Sequence, residues 1–172
     1  MHKNYKSLLA AIGITAAACA VAVAGVTAAS AASPAGAGPA ASGTEHFYAM
    51  TTSQTSNQDS AIATGVFTAG GVDMTGRTAD TLKFPGGTLK INHGAAHGKQ
   101  TLNPQTCLFT ASETGNYTIS GGTGVYAGIS GHGTAKITIL AVAARNSKGQ
   151  CSQSLPPIAW QQVITGKGHV KL

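Results

Sequence analysis

Acidic residues are scarce: five Asp and Glu stand among 172 residues, against 11 Lys and Arg. So thin a supply of carboxylates argues against a hydrolase that works with paired acids. Aromatic residues make up 5% of the chain, too few for a platform on which successive bases would stack. The basic residues beyond the first few positions (Arg77, Lys83, Lys90, Lys99, Lys136, Arg145, Lys148, Lys167 and Lys171) are spaced singly. That spacing lacks the clustered stripe expected of a nucleic-acid binder. No serine lies in a G-x-S-x-G elbow. Beyond the N-terminal run no apolar period near 3.6 persists, which excludes long amphipathic helices.

The long hydrophobic run is N-terminal. Lys3 and Lys6 precede an uncharged, Ala-rich stretch from Leu8 to Ala29, and Ala29-Ser30-Ala31 has the small-x-small form that a signal peptidase reads. The expected signal peptide is residues 1–31, cut after Ala31 or Ala32. An uncleaved anchor is the competing reading, because the run exceeds the usual signal core. Cys19 lies mid-run, which suits a lipidation site poorly. Processing removes Lys3 and Lys6 and leaves nine basic residues against five acidic ones. Such a weakly cationic surface suits adhesion to anionic cell-wall polymer. Two cysteines remain, Cys107 and Cys151, and in an exported chain they are expected to pair, with two free buried thiols as the alternative.

Residues 32–44 (ASPAGAGPAASGT) offer no large apolar side chain and read as a flexible linker before a domain at 45–172. Within that domain the apolar pattern alternates. EHFYAMTT from Glu45 reads as a strand, and Ile62 to Val72 as another ended or bulged by Gly70-Gly71. Leu82 and Phe84 alternate with Lys83, then Pro85-Gly86 supplies a type II turn into Leu89 and Ile91. Ala95 to Gln105 reads as a loop, and Gly115-Asn116 as a hairpin turn. Thr134 to Ala144 is the longest strand candidate; Ile158 to Thr165 and His169 to Leu172 read as two strands separated by Gly166-Lys167-Gly168. Short strands with turn signals between them predict an all-β sandwich or barrel.

The glycine-dense run from Tyr117 to Gly133 carries Ile119-Ser120-Gly121-Gly122-Thr123-Gly124-Val125-Tyr126, with Gly128, Gly131 and Gly133 following. It resembles the G-G-T-G-aromatic stretch of plant dirigent proteins. With the FPGGTL hairpin, the segment from Gly65 to Asp73 and the Thr106-Cys107 strand, it is similar to the secreted allene oxide cyclase barrel-like, dirigent-like group of actinobacterial proteins. The resemblance implies a single antiparallel β-barrel of about eight strands, often a homo-oligomer, with a cavity for an apolar small molecule. Dirigent proteins steer radical coupling or cyclisation, and allene oxide cyclases close a fatty-acid-derived ring. The cavity aspartates of the dirigent pattern have no motif-anchored counterpart, since Asp59, Asp73 and Asp80 read as lying in or beside turns.

Gly121, Gly122 and Gly124 are expected to be structural, with positive φ at one of them at least. His93 continues the face of Leu89 and Ile91, which makes it a candidate for the ligand cavity or the core; Tyr126 is a second cavity candidate, or else a buried ring beneath the glycine turn. His93 and His97 are four apart but have no helix to put them on one face, so no metal is expected. Gly122-Thr123-Gly124 opens a G-x-G without a βαβ unit, so no dinucleotide and no other cofactor is expected. The functional expectation is a secreted non-enzymatic barrel that binds an apolar small molecule or serves as an extracellular surface or matrix component, with no nucleic-acid partner and no stable membrane insertion after cleavage. The alternative is a cyclase or isomerase in which a polar cavity group orients the ligand. Two polar groups within hydrogen-bond reach inside the lumen would favour the alternative.

Overall fold

The computed structural model describes residues 41–172. The expected signal peptide and all but the last residues of the expected linker lie outside the described residues. Nine strands follow in order: β1 (Ser42–Thr51), β2 (Gln58–Thr64), β3 (Thr68–Met74), β4 (Ala79–Phe84), β5 (Gly87–His93), β6 (His97–Leu102), β7 (Leu108–Gly122), β8 (Ser130–Val142) and β9 (Ala159–Lys171). A single 3-10 turn, Gly124–Tyr126, interrupts them. Each of β1 to β4 pairs antiparallel with the next, β7 pairs with β8 and β8 with β9. Two further ladders close the ring: β1 with β9, from Ser42↔Lys171 to Thr51↔Gln162, and β5 with the second half of β7, where His93 faces Tyr117. The result is an eight-stranded antiparallel barrel with β6 as an extra strand beside the first half of β7. Closure leaves no free edge along the ring, the usual hazard of an open sheet.

Several boundaries differ from the sequence pattern. The first strand starts at Ser42, so three residues read as linker are paired with β9. The segment 62–72 divides into β2 and β3 around Gly65 to Phe67, and the presumed loop at 95–105 holds β6. The strand β7 runs through Gly115-Asn116 without turning, and β9 runs through Gly166-Lys167-Gly168. Those glycines act as gaps in the inner wall. A Cβ on Gly133 or on Gly168 would stand 2.6 Å from the Tyr117 hydroxyl, so the Tyr117 ring lies across the bare backbone of two neighbouring strands. Glycine inside a strand marks such a close approach as readily as it marks a turn.

That ring belongs to the packed end of the barrel. Phe47 meets Tyr117 edge-on at 6.1 Å between centroids, and Phe67 packs on Tyr126 at 5.1 Å and on Phe84 at 6.1 Å. Leu89, Ile129 and Val170 are fully enclosed among them. Each large side chain so buried contributes about 1.5–3 kcal/mol relative to exposure. The turn that follows β7 folds back onto the β4–β5 hairpin: Val125 N–H donates to Gly86 O at 3.0 Å, and Thr123 N–H to Thr88 O at 2.9 Å. Gly124 there has φ +62°, and a Cβ on it would fall against the Gly86 carbonyl. At the other end β7, β8 and β9, of 13 to 15 residues, outreach the six- and seven-residue strands β2 to β5. Their extensions, with β6, form a lip beyond the rim. The loop between β8 and β9 is tied to this lip by the Cys107–Cys151 disulfide, Cα atoms 5.3 Å apart.

Candidate functional site in the polar end of the barrel

Strand register brings three aspartates to the inner wall beneath the lip. Asp59 on β2 is the direct partner of Asp73 on β3, and Asp73 is the partner of Leu82 on β4. Asp80 lies two residues before Leu82, on the same face by the two-residue period of a strand, and is the partner of Ile91 on β5. Two residues beyond Ile91 stands His93. The aspartates lie beside turns, as the sequence pattern suggested, but inside strand ends and facing inward. Two are in phase with buried apolar neighbours on their own strands: Asp59 with Ala61 and Ala63, Asp80 with Leu82 and Phe84.

His93 Nε2 lies 3.2 Å from Asp80 Oδ1, and the same oxygen accepts the Gly76 N–H at 2.8 Å. The backbone N–H of His93 donates to Thr78 O, so the β3–β4 turn is folded against the pair. Both partners keep some contact with solvent, with side chains 30% and 16% exposed. Asp59 and Asp73 sit deeper, at 2% and 5%, and one carboxyl oxygen of each has no hydrogen-bond partner. Burial pushes the Asp73 carboxyl up to about 7, helped by the charges of Asp80 and Asp59. Burial raises Asp59 as well, with the charge of Asp80 adding and the polar ends of Gln162 and Thr51 partly offsetting. A carboxyl brought to about 7 can give and take a proton near neutral pH.

The facing wall is richer in hydrocarbon. Ile137 on β8 pairs with Ile164 on β9, which pairs with Ala49 on β1. These isoleucines are half-buried. Two polar side chains share that face, Glu113 as the partner of Ile137 and Gln162 as the partner of Ile139. The polar end thus sets three aspartates and an imidazole on β2 to β5 against a mainly hydrocarbon lip.

Of the residues singled out from sequence, His93 belongs to this cluster and Tyr126 does not. Tyr126 is 6% exposed and packed on Phe67 and Phe84: of its two readings it takes the buried ring beneath the glycine turn and not the cavity residue, because the 3-10 turn folds its ring into the closed end. His97 is exposed on β6, paired with Thr114, and among the described residues no group of three His, Cys, Asp or Glu is placed to hold a metal. Gly121 and Gly124 have φ +135° and +62°, and a Cβ on Gly122 would meet Thr88 O at 2.5 Å. Glu45, at the packed end, is fully buried; its Oε2 accepts the Phe67 N–H at 3.1 Å while Oε1 has no partner, and burial raises its carboxyl above the ordinary range.

Comparison of the chain with protein-family models, with curated proteins and with solved structures returns no match. Fold and site together define a closed antiparallel β-barrel with one packed end and one acid-lined end.

Proposed function

We propose that the protein is an exported barrel that takes a small organic molecule with an apolar body into its acid-lined end and acts on it by proton transfer, as a cyclase or isomerase does. The observation that carries this reading is the Asp80–His93 pair beside two buried carboxyls, one of them titrating near neutrality. Buried acids without partners cost stability, and two of them, Asp59 and Asp73, face each other on one inner wall. The isoleucine wall supplies a surface for the ligand's hydrocarbon, Asp73 in its protonated form supplies a proton, and Asp80 holds His93 to accept one. A Cys107–Cys151 disulfide is compatible with an extracellular protein, in line with the N-terminal signal pattern. The dirigent-like resemblance points to the same class of chemistry.

The filled aromatic end favours a second reading, a barrel that binds or displays without turnover. The two are separated by incubating the protein in D2O with a lipid extract of its culture medium. Catalysis yields a product of changed retention and unchanged formula except for solvent deuterium, and Asp73→Asn abolishes it while the barrel stays folded. Ligand retention without isotope incorporation, or full activity of Asp73→Asn, would overturn the catalytic reading.

A further inference from the structure

The barrel sorts its charges by face. All nine Lys and Arg among the described residues are exposed, whereas none of the five acids is: Glu45, Asp59 and Asp73 are buried, Asp80 and Glu113 half-buried. All five occupy inward positions of their strands. Among the described residues the one ion pair is His93 with Asp80, so no lysine or arginine is neutralised by a carboxylate. The modest excess of positive charge in the sequence becomes, on the outside of the molecule, a surface whose side chains carry cations alone.

One wall carries three of the nine cations. Across β7, β8, β9 and β1 the outward residues form continuous rows: Thr114, Lys136, Thr165 and Tyr48; then Asn116, Thr134, Lys167 and His46; then Thr118, His132, His169 and Thr44; then Lys171 between Ser130 and Ser42. A groove of about 250 Å³ lies in the first two rows, bordered by Tyr48, His46, Lys136 and Lys167 with Thr134 and Thr165 between them. From Lys167 to Lys171 is about 13 Å along β9, at the rise of an extended strand. The wall offers spaced ammonium groups, a field of hydroxyls and one exposed aromatic ring.

We infer that this outer wall binds a linear anionic glycopolymer, its acidic groups on Lys136, Lys167 and Lys171 and its sugar hydroxyls on the threonines, with a sugar face against Tyr48. The charge complementarity is unopposed, since no carboxylate side chain faces outward to repel an anionic chain. Nucleic acid fits the wall less well: it has no arginine fork for phosphate or guanine and no series of rings for bases. This surface is separate from the acid-lined lumen and does not depend on any activity there.

The test measures binding of the full-length protein to polygalacturonate, to poly(N-acetylglucosamine 1-phosphate), to neutral dextran and to random-sequence duplex DNA. At low salt one or both anionic glycopolymers bind and dextran does not, and raising salt from about 50 to 200 mM weakens binding steeply; which of the two binds more tightly tells whether carboxylate or phosphodiester is preferred. Lys136→Gln with Lys167→Gln lowers the affinity by about tenfold or more. The control pair Lys83→Gln with Lys90→Gln, exposed on β4 and β5 across the barrel, removes the same charge and changes it by less than about threefold. Thermal midpoints of both double variants verify folding. Absence of binding at low salt, equal losses from the two pairs, or duplex DNA bound as tightly as either glycopolymer overturns the inference.

Discussion

Replacing Asp73 with Asn should make the barrel more stable at alkaline pH and leave it nearly unchanged in acid. The ordinary value for this carboxyl is 3.8, and inside the barrel burial first, then the charges of Asp80 and Asp59, bring it to about 7. Because the folded state holds this proton more tightly than the unfolded state, the native protein binds more protons between those two values, and stability falls as pH rises through that window. A tenfold difference in proton affinity is about 1.4 kcal/mol, so ionising Asp73 in place costs up to about 4 kcal/mol, less where the raised Asp59 takes up part of the titration. Asn keeps the size and cannot ionise. Urea denaturation of both proteins from pH 4.5 to 8.5 should show curves that agree within about 1 kcal/mol at the acid end and part by roughly 2–4 kcal/mol at the alkaline end, the variant being the more stable. Asp59 and Glu45 are raised as well, so the variant keeps a weaker slope of the same sign. A constant difference across the range, or a variant less stable at pH 8.5, would refute the argument that Asp73 is buried against other acids.

Four further outcomes follow from the packing, the covalent frame and the N-terminal pattern. Tyr117, whose buried hydroxyl has no partner and whose ionisation burial pushes up to about 12 with Glu45 adding, should tolerate Phe with a change within about 1 kcal/mol, whereas Ala should lose roughly 3–5 kcal/mol in a denaturation midpoint series. Gly133→Ala should cost about 1–3 kcal/mol, because its Cβ meets Lys167 O at 2.4 Å as well as the Tyr117 hydroxyl; a variant of parental stability would show that the ring does not lie there. Cys151→Ser should cost about 2–4 kcal/mol, since the bridge closes a separation of 44 residues, and peptide mapping of secreted material should find both thiols engaged. N-terminal sequencing of protein from the medium should begin at Ala32 or Ser33, whereas an intact N-terminus in the membrane fraction would refute export by cleavage.

The sequence by itself determined the all-β class, the single disulfide once Cys19 was set aside, and the β4–β5 hairpin. Those features rest on local chemistry: alternation of Leu82, Phe84, Leu89 and Ile91, the fixed φ of Pro85, the freedom of Gly86 at φ +88°. It could not decide what each glycine was for. A turn and a gap beneath a ring look alike in one dimension, so Gly115-Asn116 and Gly166 to Gly168 were read as turns although Tyr117 needs bare backbone under it, supplied by Gly133 and Gly168 from two other strands. The acid-lined end was half legible. Asp80 is in phase with Leu82 and Phe84, and phase alone could have turned it inward. That Asp59 faces Asp73, and that His93 reaches Asp80 across a hairpin, depends on ladder register, which brings together residues 13 and 14 positions apart in the chain. The outward sorting of the nine lysines and arginines among the described residues was likewise closed to composition, because a net charge does not say which side of a wall each charge is on.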